Sequence, residues 1–402
     1  MSMNLTEVQA AYAQYVFGNY TRAPLAITRA AGSQVWDSNG KRYLDLLPGL
    51  GVNGLGHCPP RVVAAINSQA ATMLHIHNNY FWEQQALLAK ALVERLTGLG
   101  RPKAFFCNSG TEASEAAIKL ARLYGKQKAP AKWKFISVEN GFHGRTFAAL
   151  SATPQPNMQK GFEPLVPGFG YVPLNDSAAL ERAFDSETAG FMVEPVQGEG
   201  GIFPCQREYL EAARSLCDRH SALLMYDEVQ CGMGRTGDYF AYQTLQAPAP
   251  DVIWLAKTLG GGFPIGAVLA RGELAQYMTP GTHGSTFGGN PLACAAGLAV
   301  LETIEHERLL PHVREMARHL QGALEALRSR HAGKIKELRQ IGLMVGIELS
   351  FPAKPVCTRC LEEGLMVNAT HETTLRLLPA MTVSAAELDE GLAIISRVLG
   401  EF

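Results

Sequence analysis

The chain has 402 residues, 36 basic side chains against 37 acidic ones, and 47% hydrophobic content. That length suits a large domain with a smaller one and an ample core, and the balanced charge offers no field to recruit nucleic acid or an anionic membrane. No uninterrupted apolar stretch reaches membrane-spanning length, the N-terminus with Glu7, Arg22 and Arg29 lacks a signal-peptide apolar core, and eight scattered cysteines suit a reducing cytoplasm.

Residues 1 to about 50 read as a helix followed by short strands at Ala26–Thr28 and Gln34–Trp36, with a hairpin turn at Asp37-Ser38-Asn39-Gly40. From about 56 to 290, apolar runs alternate with helical patterns. The predicted strands are Ala104–Phe106, Lys134–Val138, Phe191–Val193, Ala222–Tyr226, Val252–Leu255 and Ala267–Leu269. This alternation predicts an α/β fold with a mostly parallel sheet covered by helices on both faces. After Pro291 a helical stretch runs to about 330, then a strand at Leu343–Leu349. A last helix opens at Ser384, where Ser384-Ala385-Ala386-Glu387 is a capping box. The domain boundaries expected are 1–55, 56–290 and 291–402.

Ligands of such sheets bind beyond the carboxyl ends of the strands. Lys257 follows the apolar run Val252 to Ala256 and precedes Thr258-Leu259 and three glycines, Gly260 to Gly262. A lone lysine is ordinarily a solvated surface group. In an apolar pocket, however, its neutral form is favoured and can attack a carbonyl to make a Schiff base. Asp227 ends another apolar run. A carboxylate to keep a pyridine nitrogen protonated, and an amine to hold an aldehyde, are what pyridoxal phosphate chemistry requires.

Other segments fall at the same edge. Ser109-Gly110-Thr111-Glu112 follows a strand and opens the amphipathic helix Ala113 to Tyr124. It is either an ordinary N-cap or an anion site made of free N–H groups, hydroxyls and the helix dipole. Phe142-His143-Gly144-Arg145-Thr146 offers an aromatic ring for stacking and a guanidinium fork that matches a carboxylate; a surface arginine on a loop is the bland alternative. Glu194 and Glu199 share a glycine-rich loop, and a buried carboxylate there must meet a cation or a hydroxyl group.

Some apparent motifs carry nothing. Gly232-Met233-Gly234-Arg235-Thr236-Gly237 matches a dinucleotide fingerprint but does not stand directly between strand and helix. Lys257 to Gly262 reverses the order of a P-loop. Cys357-Thr358-Arg359-Cys360 is a lone pair without partners, His75-Ile76-His77 has no matching ligands, and no metal is expected.

Taken together, Asn108 to Glu112, Phe142 to Thr146, Glu194 to Gly200, Asp227 to Gln230, Leu255-Ala256-Lys257 and His283 to Pro291 resemble the class III, or ornithine-type, aminotransferases. The resemblance runs from Asn19-Tyr20 to Pro379. It implies fold type I, with a large domain, a smaller α/β C-terminal domain and pyridoxal 5'-phosphate as cofactor. It also implies a homodimer with active sites at the interface. Lys257 would be the Schiff-base lysine and Asp227 the partner of the pyridine nitrogen. Gln230 would reach the ring hydroxyl, Phe142 would stack on the ring, and Ser109, Gly110 and Thr111 would hold the phosphate, with Thr286 reaching it from the other subunit. His143 and Glu194 would complete the cofactor site.

For substrate, Arg145 would take the carboxylate remote from the reacting carbon and Arg376 the one beside the keto carbon of 2-oxoglutarate. Glu199 would mask Arg376 while the amino donor is bound, and Tyr20 and Ser285 would border the substrate. Pro48 to His57 is most similar to the N-acetylornithine branch, which implies transfer of an ω-amine to 2-oxoglutarate. Pro59, Ser114 and His75 to Tyr80 depart from the usual pattern, so N-succinylornithine, N-succinyl-diaminopimelate, ornithine and 4-aminobutyrate stay open as donors. An aminomutase or a catalytically dead scaffold would share the fold.

Overall fold

The computed structural model describes residues 3–402. Its central feature is a seven-stranded sheet in the order Lys103–Cys107, Gly266–Ala270, Val252–Leu255, Leu223–Asp227, Thr188–Val193, Lys134–Val138, Phe169–Val172. Every residue of the three strands at 188–193, 223–227 and 252–255 is buried, as a parallel strand covered on both faces must be.

Two features of this sheet escape the sequence pattern. Phe169–Val172 is a short edge strand whose Phe-Gly-Tyr-Val composition gives no alternation. Gly266–Ala270 runs antiparallel to both neighbours. Only residues 256–265 connect it to the preceding strand, too few for the helical crossover that a parallel return needs.

The helix Gly110–Lys128 lies against the sheet. Ser109 caps it, its Oγ accepting from Glu112 N at 3.2 Å, and Ala113, Ala116, Ala117 and Ala121 bury a narrow face that lets the backbone come close. A Cβ at Gly125 would stand 2.3 Å from the Lys132 carbonyl, so that approach requires glycine.

The remaining strands form two four-stranded sheets and a two-stranded ribbon of Val196–Gln197 with Phe203–Pro204. Ile335–Ile341, Met344–Leu349, Thr374–Leu377 and Asn368–Thr370 make an antiparallel one. Its first strand, Ile-Lys-Glu-Leu-Arg-Gln-Ile, is too charged to be read as a strand in isolation. The other sheet contains the N-terminal strands Ile27–Ala31, Gln34–Asp37 and Arg42–Asp45. The last of these pairs in parallel with Leu365–Met366, tying the start of the chain to its end. The stretch after Pro291 is two helices, Pro291–His306 and Leu309–Arg330, broken where Arg308 takes φ +51°. The final helix, Ala385–Leu399, begins with the capping box at Ser384.

Candidate active site

A cavity of about 400 Å³ opens at the carboxyl edge of the large sheet. Strand order and strand direction assemble it. Asp227 ends one strand, Lys257 stands two residues beyond the next, and the segments 108–111, 142–145 and 194–199 follow three others.

Lys257 sits in the left-handed region at φ +46°, uncommon for a lysine, in the tight turn after its strand. Its amine has no hydrogen-bond partner among the described residues. Burial pushes its pKa down and Arg376 adds to this, against the opposing pull of Glu199, Glu194 and Asp227. The neutral, nucleophilic amine is thereby favoured.

Asp227 Oδ1 accepts from Val229 N at 3.0 Å, and Oδ2 lies 2.8 Å from His143 Nδ1. Because a carboxylate only accepts, the proton of that bond is on Nδ1. Both side chains are almost wholly buried, and His143 Nε2 is buried without a partner among the described residues. Glu194 accepts from Phe142 N at 2.9 Å and Gly198 N at 3.1 Å, joining the two loops. Burial first and the Asp227 charge second raise its pKa to about 7.

At the helix start, geometry leaves Gly110 N–H and Thr111 N–H without carbonyl partners. Gly110 packs closely on the opposite wall, a Cβ there standing 3.0 Å from Val229 Cγ1. The Thr111 hydroxyl accepts from Arg145 N at 3.0 Å and Thr146 N at 3.2 Å, so it also fastens the 142–146 loop to the helix. Arg145 is exposed at the cavity rim, its guanidinium 5.7 Å from the centre of the Phe142 ring.

Arg376 is fully buried and does not line the cavity; Glu199 and Gln230 stand between. Its Nη1 donates to Glu199 Oε1 at 2.8 Å and to Gln230 Oε1 at 3.3 Å, its Nε to Asn368 Oδ1 at 3.1 Å, and its Nη2 has no partner among the described residues. Burial raises the Glu199 carboxyl, but Arg376 and then Lys257 pull it below its ordinary value. Gln230 Nε2 also reaches Glu199 Oε1 at 3.3 Å, a link to this ion pair that its place in the motif did not reveal.

Three residues expected around the site are elsewhere in the single chain. Tyr20 is 70% exposed and apart from the cavity. Ser285 and Thr286 line a second cavity of about 380 Å³ with Asn108, Glu112 and His283, and Ser285 Oγ accepts from Asn108 Nδ2 at 3.1 Å. Other contributors were not singled out in the sequence. Thr258, beside Lys257, donates to Gly51 O at 3.0 Å, and Phe263, Pro264 and Ile265 form a cavity wall. Their signal is only adjacency to Lys257. Among the described residues no group of His, Cys, Asp and Glu could hold a metal, and no helix is long and apolar enough to cross a membrane.

Fold and site together define a fold type I enzyme of the pyridoxal-phosphate class. The chain belongs to the class-III aminotransferase family, whose model matches residues 15–399. It is 47% identical to the acetylornithine aminotransferase of Aquifex aeolicus, over 96% of this chain and 100% of that protein. It is 48% identical to that of Methanocaldococcus jannaschii, over 95% of each. Among solved structures, the ornithine aminotransferase of Toxoplasma gondii superposes with a TM-score of 0.92 at 32% identity, covering 100% of this chain and 96% of that one. A Bacillus anthracis aminotransferase superposes at 0.93 with 31% identity, covering all of both.

The residues present fit pyridoxal 5'-phosphate: a buried unpartnered amine, a carboxylate backed by an imidazole, and a helix start with free N–H groups and no Cβ at Gly110. When bound, that group supplies an aldehyde for amine capture and an electron sink.

Proposed function

We propose that the chain transfers the ω-amine of N-acetylornithine to 2-oxoglutarate, giving N-acetylglutamate semialdehyde and glutamate. The observation that carries this is the placement of Lys257 and Asp227 in one cavity that has Arg145 at its rim and Arg376 masked by Glu199 at its back. The acetylornithine aminotransferases, at 46–48% identity across nearly the full chain, support this donor over ornithine.

In this reading Lys257 would hold the cofactor aldehyde, and its amine, when free, would take up and return a proton at the amine-bearing carbon of the donor. Asp227, oriented by His143, keeps the ring nitrogen protonated. Phe142 covers the ring and Gln230 reaches its hydroxyl group. The N–H groups of Gly110 and Thr111, with the Ser109 hydroxyl, take the phosphate, while Glu194 joins the loops around them. Arg145 binds the distal carboxylate of each substrate. Glu199 neutralises Arg376 for the donor, which brings no carboxylate to it, and yields to the keto acid, which does.

The active unit in this reading is a homodimer. Phe17, Tyr20, Leu74, Tyr80, Phe81 and Phe287 are large apolar side chains left exposed by the single chain, and a partner would cover them. The partner would then supply Thr286 to the phosphate and Tyr20 and Ser285 to the substrate. Within a subunit the divisions are 1–55, 56–290 and 291–402, the first joined to the last by the pairing of Arg42–Asp45 with Leu365–Met366. Residues 1–2 lie outside the described residues. Eight unpaired thiols suit a cytoplasmic location.

The test mixes purified holoenzyme with N-acetylornithine, N-succinylornithine, ornithine or 4-aminobutyrate, each without 2-oxoglutarate, and follows the cofactor absorbance. Fast loss with N-acetylornithine and slow loss with the others is expected. A preference for another donor keeps the chemistry and moves the substrate, and no response to any donor points to an untested amine, an aminomutase or a catalytically dead scaffold.

A further inference from the structure

Glu199 lines two cavities. One is the main site; the other, of about 250 Å³, lies behind the same loop and is lined also by Asn140, Gln155, Met158, Thr370 and His371. The main chain between them is held from the C-terminal sheet. Thr370 Oγ1 donates to the Glu199 carbonyl, and Arg339 Nε donates to the Gly201 carbonyl at 2.8 Å. Arg339 is itself buried, bonded to Glu348 at 2.6 Å and Thr374 at 3.0 Å, with its guanidinium 4.0 Å above the centre of the Phe203 ring. A loop pinned at residues 199 and 201 cannot swing as a unit. If Glu199 is to release Arg376, the side chain must turn about its own bonds.

A carboxylate that leaves a guanidinium in a partly buried site needs new donors, because an unpaired one is costly. The cavity behind the loop has them. Asn140 and His371 are exposed, and neither the amide nor the imidazole has a hydrogen-bond partner among the described residues, so both are free to turn toward an incoming carboxylate; Gln155 Nε2 is already engaged with the carbonyls of Asn140, at 3.3 Å, and Gly141, at 3.0 Å. His371 is presented by a three-residue connection between paired Thr370 and Thr374, in which His371 and Glu372 both hold positive φ, at +48° and +60°. Positive φ at both residues is what so tight a hairpin connection requires, and it fixes where His371 is presented.

We propose that the cavity of about 250 Å³ behind the loop receives the Glu199 carboxylate when a keto-acid carboxylate takes Arg376, with Asn140 and His371 as the positioning residues that bind it there. This rests on the reading of Glu199 as the mask of Arg376. Asn140 and His371 then act on the acceptor half of the reaction alone, by stabilising the open form that only the acceptor uses.

The test compares the two half-reactions of holoenzyme carrying Asn140→Leu and His371→Leu, alone and combined with Glu199→Ala. The apparent KM for 2-oxoglutarate should rise about tenfold, as expected for loss of hydrogen bonds to a charged group, while the N-acetylornithine half-reaction stays within about twofold. In the Glu199→Ala background the same pair of substitutions should change neither, since no carboxylate remains to be received. His371→Ala alone, at an exposed turn, gives a smaller rise with little threat to folding. An unchanged KM, or an equal rise with and without Glu199, overturns the receiving site. Failure of the masking role itself reads out differently, as a Glu199→Ala enzyme whose donor and acceptor affinities keep their balance.

Discussion

His143 Nδ1 stands 2.8 Å from Asp227 Oδ2, with 1% and 4% of the two side chains exposed, so the carboxylate that faces the cavity is oriented from behind by an imidazole that solvent cannot reach. Asp227→Ala should cut turnover by at least ~100-fold, and His143→Leu by about tenfold, because the latter removes one hydrogen bond to a charge. Loss of cofactor on dialysis should follow the same order. A His143→Leu enzyme that retains cofactor and rate as wild type does would show that the imidazole only fills space.

Lys257 makes no hydrogen bond to the described residues, and its left-handed backbone is as accessible to alanine as to lysine. Lys257→Ala is therefore expected to keep the fold while losing about 10⁴-fold or more in turnover. Circular dichroism with single-turnover kinetics checks both halves of this. Near-normal activity would remove the Schiff-base assignment.

Removing the Glu199 carboxylate leaves Arg376 charged and uncovered. Glu199→Ala should therefore weaken the donor, which cannot neutralise that charge, and favour 2-oxoglutarate, shifting the ratio of the two specificities by about tenfold or more. Separate half-reaction kinetics measure the ratio.

Thr286 lies outside the Lys257 cavity of its own chain. If a partner chain supplies it, mixing inactive Lys257→Ala subunits with Thr286→Val subunits gives hybrids in which one site carries both lesions and the other neither. Activity of the mixture should exceed the sum of the two parents. Strict additivity would place Thr286 and Lys257 in the same subunit's site.

Glu228 is fully buried with no cationic partner among the described residues, its oxygens accepting from Ala241 N at 2.6 Å and Tyr242 N at 2.9 Å. Burial outweighs those two bonds and, with the Asp227 charge, pushes its pKa from 4.5 up to about 8. Between those values the unfolded chain ionises this group and the folded one does not, so its contribution to stability is lost as pH rises, by at most ~1.4 kcal/mol per unit. Denaturant midpoints from about pH 5 to 8 should move in favour of Glu228→Gln relative to wild type. A constant difference across that range would mean that Glu228 does not titrate there.

Much of this was legible in the residues. Buried parallel strands appear as short apolar runs, because both of their faces are covered, and the segments that follow them stand out by glycine and charge. That is why Ser109 to Glu112, Glu194, Asp227 and Lys257 could be assigned to one edge, and why the capping box at Ser384 and the class III resemblance were readable. The pattern was silent where pairing, not composition, makes the strand: Phe169–Val172 at the sheet edge, and Ile335–Ile341, whose Arg339 reaches Glu348 and Thr374 on other strands of its sheet.

Local order along the chain thus determined which side chains could do chemistry and which sheet would hold them, since periodicity and turn chemistry are local properties. Tertiary structure alone decided what faces what. The imidazole behind Asp227 lies 84 residues away from it in sequence, and the carboxylate over Arg376 lies 177 residues away. Contacts over such separations leave no local signature. They come from strand order, from the reversed strand Gly266–Ala270, and from the C-terminal sheet that grips the Glu199 loop through Thr370 and Arg339.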